Sequence, residues 1–256
     1  MDGAWAVDIT VRVGERCGRF CVQGNGPSKG LEATSVAFLA FPRPTEMPSS
    51  TARTGLVRYH QAMAHAMHHR FGYDAYLALE QDSGTKHEYL DGQVWAMAGG
   101  TPEHARVAGN VLTLLNVQLS GRKCAVFTSD LRLRVAATGL ATYPDVSVVC
   151  GRLELDPEDR KGHTALNPTV VVEVLSLSTE AYDRGPKLLH YRQIPTLQEI
   201  VLVAHDRLEI EVLRRESDGA WSSHISRDRE IAQLLSIACS LPVTEVYRDP
   251  LAAGRG

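Results

Sequence analysis

Thr169-Val170-Val171-Val172-Glu173-Val174-Leu175 is the stretch that decides the fold. Three consecutive β-branched residues with apolar neighbours predict a strand buried on both faces, because a half-exposed strand would alternate. Glu173 sits inside that run. An ionised carboxylate is strongly disfavoured there unless a cation, a hydrogen-bond network or a metal offsets its burial.

Working outward, Tyr143-Pro144-Asp145-Val146-Ser147-Val148-Val149 puts a second carboxylate at the start of another β-branched run. Lys86-His87-Glu88-Tyr89-Leu90-Asp91-Gly92 carries a third at a strand-like position, and Lys187 follows Glu173 on the next helical segment. Singly, a strand-start Asp reads as a turn or cap residue and a strand Glu as half of an ion pair. Together, three carboxylates and a lysine on neighbouring core elements are the equipment of a Mg²⁺-dependent phosphodiester hydrolase. The acids supply hard oxygen ligands, and the lysine acts on water or on phosphate charge.

The segments KHEYLDG with Glu88, SDLRLRV with Asp130, YPDVSVV with Pro144 and Asp145, NPTVVVEVLSLST with Glu173, and AYDRGPKLLHYR with Lys187 follow one another along the chain. In that order, from about Phe71 to Tyr247, they resemble the Uma-type putative restriction endonuclease family, a branch of the PD-(D/E)XK nuclease superfamily. The resemblance implies an α/β fold of mixed α+β type, a restriction-endonuclease-like mixed β-sheet flanked by helices. It also implies a metal-dependent endonuclease acting on nucleic acid, DNA in the first place. By the same resemblance Asp145 and Glu173 hold one Mg²⁺ or Mn²⁺ together with the Val174 carbonyl, and Glu88 completes the ligand set or serves a second metal. Lys187 then orients the attacking water or neutralises charge on the phosphate. Asp130 is an outer candidate, with a turn role as its alternative. The superfamily's lysine two residues past the acid is Leu175 here, so its role passes to Lys187. Leu177 replaces a proline, and Pro186, directly before Lys187, starts a helical turn or kinks one.

Two other classes stay open. A nuclease-like fold that binds nucleic acid or a protein partner without cleaving is favoured by Leu175 and Pro186. A metal phosphohydrolase for small phosphoesters uses the same residue types.

With 256 residues the chain can bury a full core, and a net charge of −3 gives it no overall attraction to DNA. Any nucleic-acid surface is therefore local, with Arg132, Arg134, Arg184, Lys187 and Arg192 as candidates, most of them expected to be ordinary solvated surface charges. The five cysteines, Cys17, Cys21, Cys124, Cys150 and Cys239, lie mostly in apolar runs and read as reduced thiols of a cytoplasmic protein. No apolar stretch approaches the roughly 18 residues of a membrane span, and the first residues show no secretory pattern. Besides nucleic acid, the expected partner is a second copy of the chain in a homodimer.

Composition changes near residue 70. Residues 1–66 read as a poorly ordered extension, with translation starting at Met63 or Met67 as the sharper expectation, residues 67–250 as the nuclease-like domain, and residues 251–256 as a tail. His60, His65, His68 and His69 read as surface residues rather than a metal site. A helix is expected from Tyr73, and another after Thr101-Pro102-Glu103, which offers an N-cap, a first-position proline and an early acid. His104 in that first turn points to the site or lies on ordinary helix surface. Strands are expected as a hairpin over 88–97 turning at Asp91-Gly92, then over 125–135, 145–149, 169–175 and 199–204, with a half-exposed strand at 208–212.

Overall fold

The computed structural model describes residues 70–97 and 99–252, so the expected extension at 1–66, the four histidines, Cys17 and Cys21 lie outside the described residues. Helix α1 (Tyr73–Asp82) leads into a hairpin of β1 (His87–Leu90) and β2 (Gln93–Ala96). Asp91 and Gly92 both take positive φ, 48° and 82°, as a tight two-residue hairpin turn requires. Helix α2 (Pro102–Leu119) begins where its signals place it: the Thr101 hydroxyl accepts a hydrogen bond from the His104 N–H at 3.2 Å, and Pro102 has no N–H to leave unpaired.

The single strand expected over 125–135 is two strands in different sheets. β3 (Cys124–Thr128) ends in a turn where the Thr128 carbonyl accepts from Leu131 N–H at 3.2 Å, and β4 (Arg132–Arg134) then joins the smaller sheet. Next come β5 (Ala141–Thr142), β6 (Val146–Cys150), β7 (Thr164–Ala165) and β8 (Val170–Val174). A helical crossover follows, made of α3 (Glu180–Tyr182), a π-helical turn over Asp183–Lys187 and α4 (Leu188–Tyr191). The chain continues through β9 (Glu199–Val203), β10 (Glu209–Arg215), β11 (Trp221–Arg227), β12 (Ile231–Leu234), β13 (Cys239–Pro242) and α5 (Val243–Val246).

Six strands form the larger sheet in the order β11-β10-β9-β8-β6-β3, and five form the smaller in the order β2-β1-β5-β4-β7. β8 runs parallel to β9 and antiparallel to β6, so the helical crossover is the connection that a parallel pair needs. The mixed sheet flanked by helices is the architecture expected. No helix among the described residues is long and apolar enough to cross a membrane.

Alternation along β8 sorts its side chains. Val170, Val172 and Val174 pack with Val107, Val111, Leu115 and Leu119 of α2. Val171 and Leu175 pack on the other face with Leu188, Tyr191, Ile194 and Leu197 of the crossover. Position 173 has the parity of that second face, so Glu173 enters the apolar layer beneath the crossover. Both faces are covered, which is why the run reads without alternation.

Two expectations need correction. Cys124 and Cys150 are not reduced thiols but a disulfide: they oppose each other in the β3–β6 register, with Cα atoms 4.0 Å apart. The 26-residue separation hides that pairing from the sequence. Cys239 is a free buried thiol as expected. β10 is more buried than its alternation suggests, because β11 covers its edge and Arg207 and Arg227 pair with Glu209 at 3.1 and 2.8 Å.

Candidate active site

Asp145 precedes β6 by one residue. Continuing the antiparallel register Val146↔Val172 places it across from Glu173. Its Oδ2 accepts a hydrogen bond from Val174 N–H at 2.8 Å, a backbone donor that β6 leaves unused because the strand has not yet begun. His104, brought in by the first turn of α2, places Nε2 3.2 Å from the same oxygen. The carboxylate raises the His104 pKa above its ordinary value, against the opposing effect of burial.

Below this lip lies a buried cluster. Lys187 Nζ stands 2.9 Å from Glu173 Oε1, 3.0 Å from Glu88 Oε1 and 3.3 Å from Asp183 Oδ1. Thr142 of β5 donates to Glu88, and the Tyr191 hydroxyl donates to Glu173 Oε1 at 2.5 Å. Lys187 is 3% and Glu173 5% exposed, so these charges are compensated by one another and not by water.

Burial pushes Glu173 up to about 8, with Asp145 and Asp183 adding to it and Lys187 and Tyr191 opposing. Burial also works against the Lys187 ammonium, yet Glu173, Tyr191, Glu88 and Asp183 hold it well above its usual range. Lys187 is therefore an ammonium, with oxygens of three acids within 3.3 Å of it.

Pro186 settles how Lys187 is aimed. Proline has no N–H to give to an α-helical bond, and the segment Asp183–Lys187 widens into a π turn before α4 resumes. Asp183, Lys187 and Tyr191 then share one side of the crossover, four residues apart, and meet at the cluster. Asp183, Tyr191 and Thr142 were not singled out from the sequence. The spacing Asp183, Lys187, Tyr191 within AYDRGPKLLHYR is the signal that could have found the first two.

The remaining candidates fall elsewhere. Asp130 is exposed and pairs with Lys86 at 2.7 Å in the β3–β4 turn. Arg132 is buried against Asp159 at 3.0 Å, Arg134 holds Asp156 and Glu158 at 3.0 and 2.8 Å, and Arg184 joins Glu180 and Glu211. Arg192 is half-buried beside the Trp221 ring. These four arginines form neither a basic surface nor, for the first three, the solvated surface charges expected of most of them, because intramolecular acids hold Arg132, Arg134 and Arg184.

Asp145, Glu173, Glu88 and the Val174 carbonyl offer only hard oxygen donors, and Glu173 is raised first by burial and then by the neighbouring Asp145 and Asp183 carboxylates. The donor chemistry fits Mg²⁺ or Mn²⁺. Among the described residues no three acidic, His or Cys side chains are spaced as ligands of one ion, because the Lys187 ammonium lies between Glu88 and Glu173.

A mixed sheet with acids at facing strand ends and a lysine from the crossover defines a protein of the nuclease-like class. The Uma2 family, described as "Putative restriction endonuclease", matches residues 73–244. The chain belongs to that family. It is 40% identical over 176 residues to an uncharacterised protein of Synechocystis sp., covering 68% of this chain and 90% of that one. A second uncharacterised Synechocystis protein is 32% identical over 146 residues, 57% of this chain and 81% of the relative. The crystal structure of "a putative nuclease belonging to DUF820" from Anabaena variabilis superposes with a TM-score of 0.57 at 18% identity, over 69% of this chain and 97% of that one. Family and fold together support a nuclease.

Proposed function

We propose that this chain is a metal-dependent endonuclease that hydrolyses phosphodiester bonds of nucleic acid, with DNA as the expected polymer. The observation that carries the reading is the convergence of Glu88, Glu173 and Lys187 within 3.0 Å contacts, beside an Asp145 that faces Glu173 across two strands. Those residues are scattered along the sequence, and only the fold makes their chemistry coherent.

Asp145, Glu173 and the Val174 carbonyl would hold Mg²⁺ or Mn²⁺, which would polarise the phosphate and acidify a bound water, while Glu88, on the other side of the Lys187 ammonium, would help to orient that lysine. The chain does the rest. Lys187 directs its ammonium at charge building on the phosphate, a role that a buried, preorganised cation performs without reorganisation. Tyr191 fixes the rotamer of Glu173, and Thr142 that of Glu88. His104, whose Nε2 lies 3.2 Å from Asp145, would pass a proton to an oxygen leaving the phosphate.

The grip of three acids on Lys187 favours a second reading, a nuclease-like module that binds nucleic acid or a protein without cutting it. Incubation with supercoiled plasmid and Mg²⁺ separates the two. Nicking that EDTA stops, with mononucleotide esters left intact, supports the endonuclease; an intact plasmid at high enzyme leaves the binding module.

A further inference from the structure

A groove of about 500 Å³ runs from Asp145 and His104 along α2, with Ala108, Gly109 and Leu112 on one wall, Ser129 opposite and Lys86 at the rim. Glycine in the middle of a helix is unfavourable and normally marks a close approach. At Gly109 there is none: an added Cβ would meet no atom within 4 Å. The room left by that missing side chain opens into the groove. Gly100 is the contrast, since a Cβ there would come within 2.7 Å of His104 Nδ1, so this glycine lets the imidazole sit against Asp145.

The cations bear on what the groove takes. A protein that tracks duplex DNA does so with several free Lys and Arg side chains that replace condensed counterions. Here Arg132, Arg134 and Arg184 are committed to Asp159, to Asp156 and Glu158, and to Glu180 and Glu211. Lys86 is shared with Asp130. Phosphate tracking along a duplex is therefore weakly served by these residues. What the site offers is shape: an apolar wall next to the catalytic candidates, in a volume within the roughly 300–1,000 Å³ of small-molecule sites.

Resting on the nuclease reading, we infer that this groove takes one unstacked nucleobase beside the scissile phosphate, and that the substrate is single-stranded nucleic acid or a single-stranded stretch within a duplex. A base in a continuous stack cannot enter a side groove, whereas an unpaired one does so at little unstacking cost. The aliphatic wall of Ala108 and Leu112 accepts any base face, and the polar end at Asp145 and His104 meets the sugar-phosphate.

The test uses the full chain in EDTA and reads fluorescence anisotropy of a short labelled oligonucleotide, single-stranded or annealed to its complement. The single strand should bind about tenfold more tightly than the duplex. Gly109→Leu and Ala108→Leu, which fill the groove from the same wall, should each weaken single-strand binding about tenfold. Gly109→Ala, whose methyl meets open space, controls for the loss of a mid-helix glycine: both Gly109 variants should unfold at or above the wild-type midpoint, and Ala108→Leu should remain folded. Duplex binding as tight as single-strand binding overturns the inference, as do folded filling variants without effect. Adding Mg²⁺ keeps the two readings distinguishable. Single-strand preference with no cleavage of either form sinks the nuclease and keeps the groove, and cleavage without strand preference does the reverse.

Discussion

The Lys187 ammonium lies 2.9 Å from the Glu173 carboxylate, and the two residues reach one another from opposite ends of a connection, one inside β8 and one at the close of a π turn. The pair is buried, and its energetics are decided by what remains when either member is removed.

Glu173→Gln should be neutral or stabilising in metal-free protein. Lys187 keeps Glu88 at 3.0 Å and Asp183 at 3.3 Å, and the amide can still accept from Tyr191. Lys187→Met removes the one cation from among three acids and should cost about 3–5 kcal/mol at neutral pH. Urea unfolding of the two variants gives the comparison. A severe loss in Glu173→Gln would make Glu173 a structural ion-pair member and nothing more.

Arg132 and Asp159 give a pH prediction away from the site. The Asp159 carboxyl is held below its ordinary 3.8; burial opposes this, but Thr164, Arg132 and the Lys161 N–H outweigh it. A depressed carboxyl stabilises the fold above its unfolded value, and that stability is lost as pH falls through the folded one. Acid unfolding of the wild type should therefore steepen below pH 3.8, and Asp159→Asn should flatten that limb. At neutral pH the same variant leaves Arg132 its hydrogen bonds to Thr164 and Tyr143 but no acid nearer than Glu80, 3.8 Å away, and should lose about 3 kcal/mol. Denaturant midpoints measured across pH would show both effects, and a variant with unchanged acid sensitivity would remove Asp159 from the account.

The Cys124–Cys150 bridge ties the edge strand β3 to β6, the strand that begins beside Asp145. Peptide mapping without reduction should recover the linked pair. Cys150→Ser should lower stability by about 2–4 kcal/mol, the usual worth of closing such a loop. Free thiols at both positions in the purified protein would contradict the bridge.

Much of the fold was legible because local signals agreed with burial. The valine run of β8, the capped start of α2 and the Asp91-Gly92 turn each specify their element without help from distant residues. The break between β3 and β4 was not legible, since Phe127 and Leu133 suit one strand as well as two and only sheet assignment separates them. At the site, Glu173 could be singled out as a charge in an apolar run, Glu88 as an acid at a strand-like position, and Lys187 by its place on the following helical segment. Thr142 could not, because it is an ordinary core residue until its hydroxyl is seen on a carboxylate. The arginines misled for the opposite reason: a sequence shows their charge but not the acids that hold it.

The catalytic reading makes the strongest demand. If Asp145 and Glu173 act on one ion, Asp145→Ala and Glu173→Ala should each abolish Mg²⁺-dependent cleavage, and the double variant should be no worse, because ligands of one ion act as a unit. Lys187→Ala should behave differently. Its ammonium competes with any cation for Glu173, so removing it should tighten Mn²⁺ binding measured by calorimetry while the cleavage rate falls by about a hundredfold or more. Opposite movement of affinity and rate would not follow from a merely structural lysine, which on removal would weaken both. Retained cleavage in purified Asp145→Ala would point to another site or a contaminating nuclease. Full activity in Lys187→Ala would leave the carboxylates in place as ligands and show that the ammonium serves only to balance their charge.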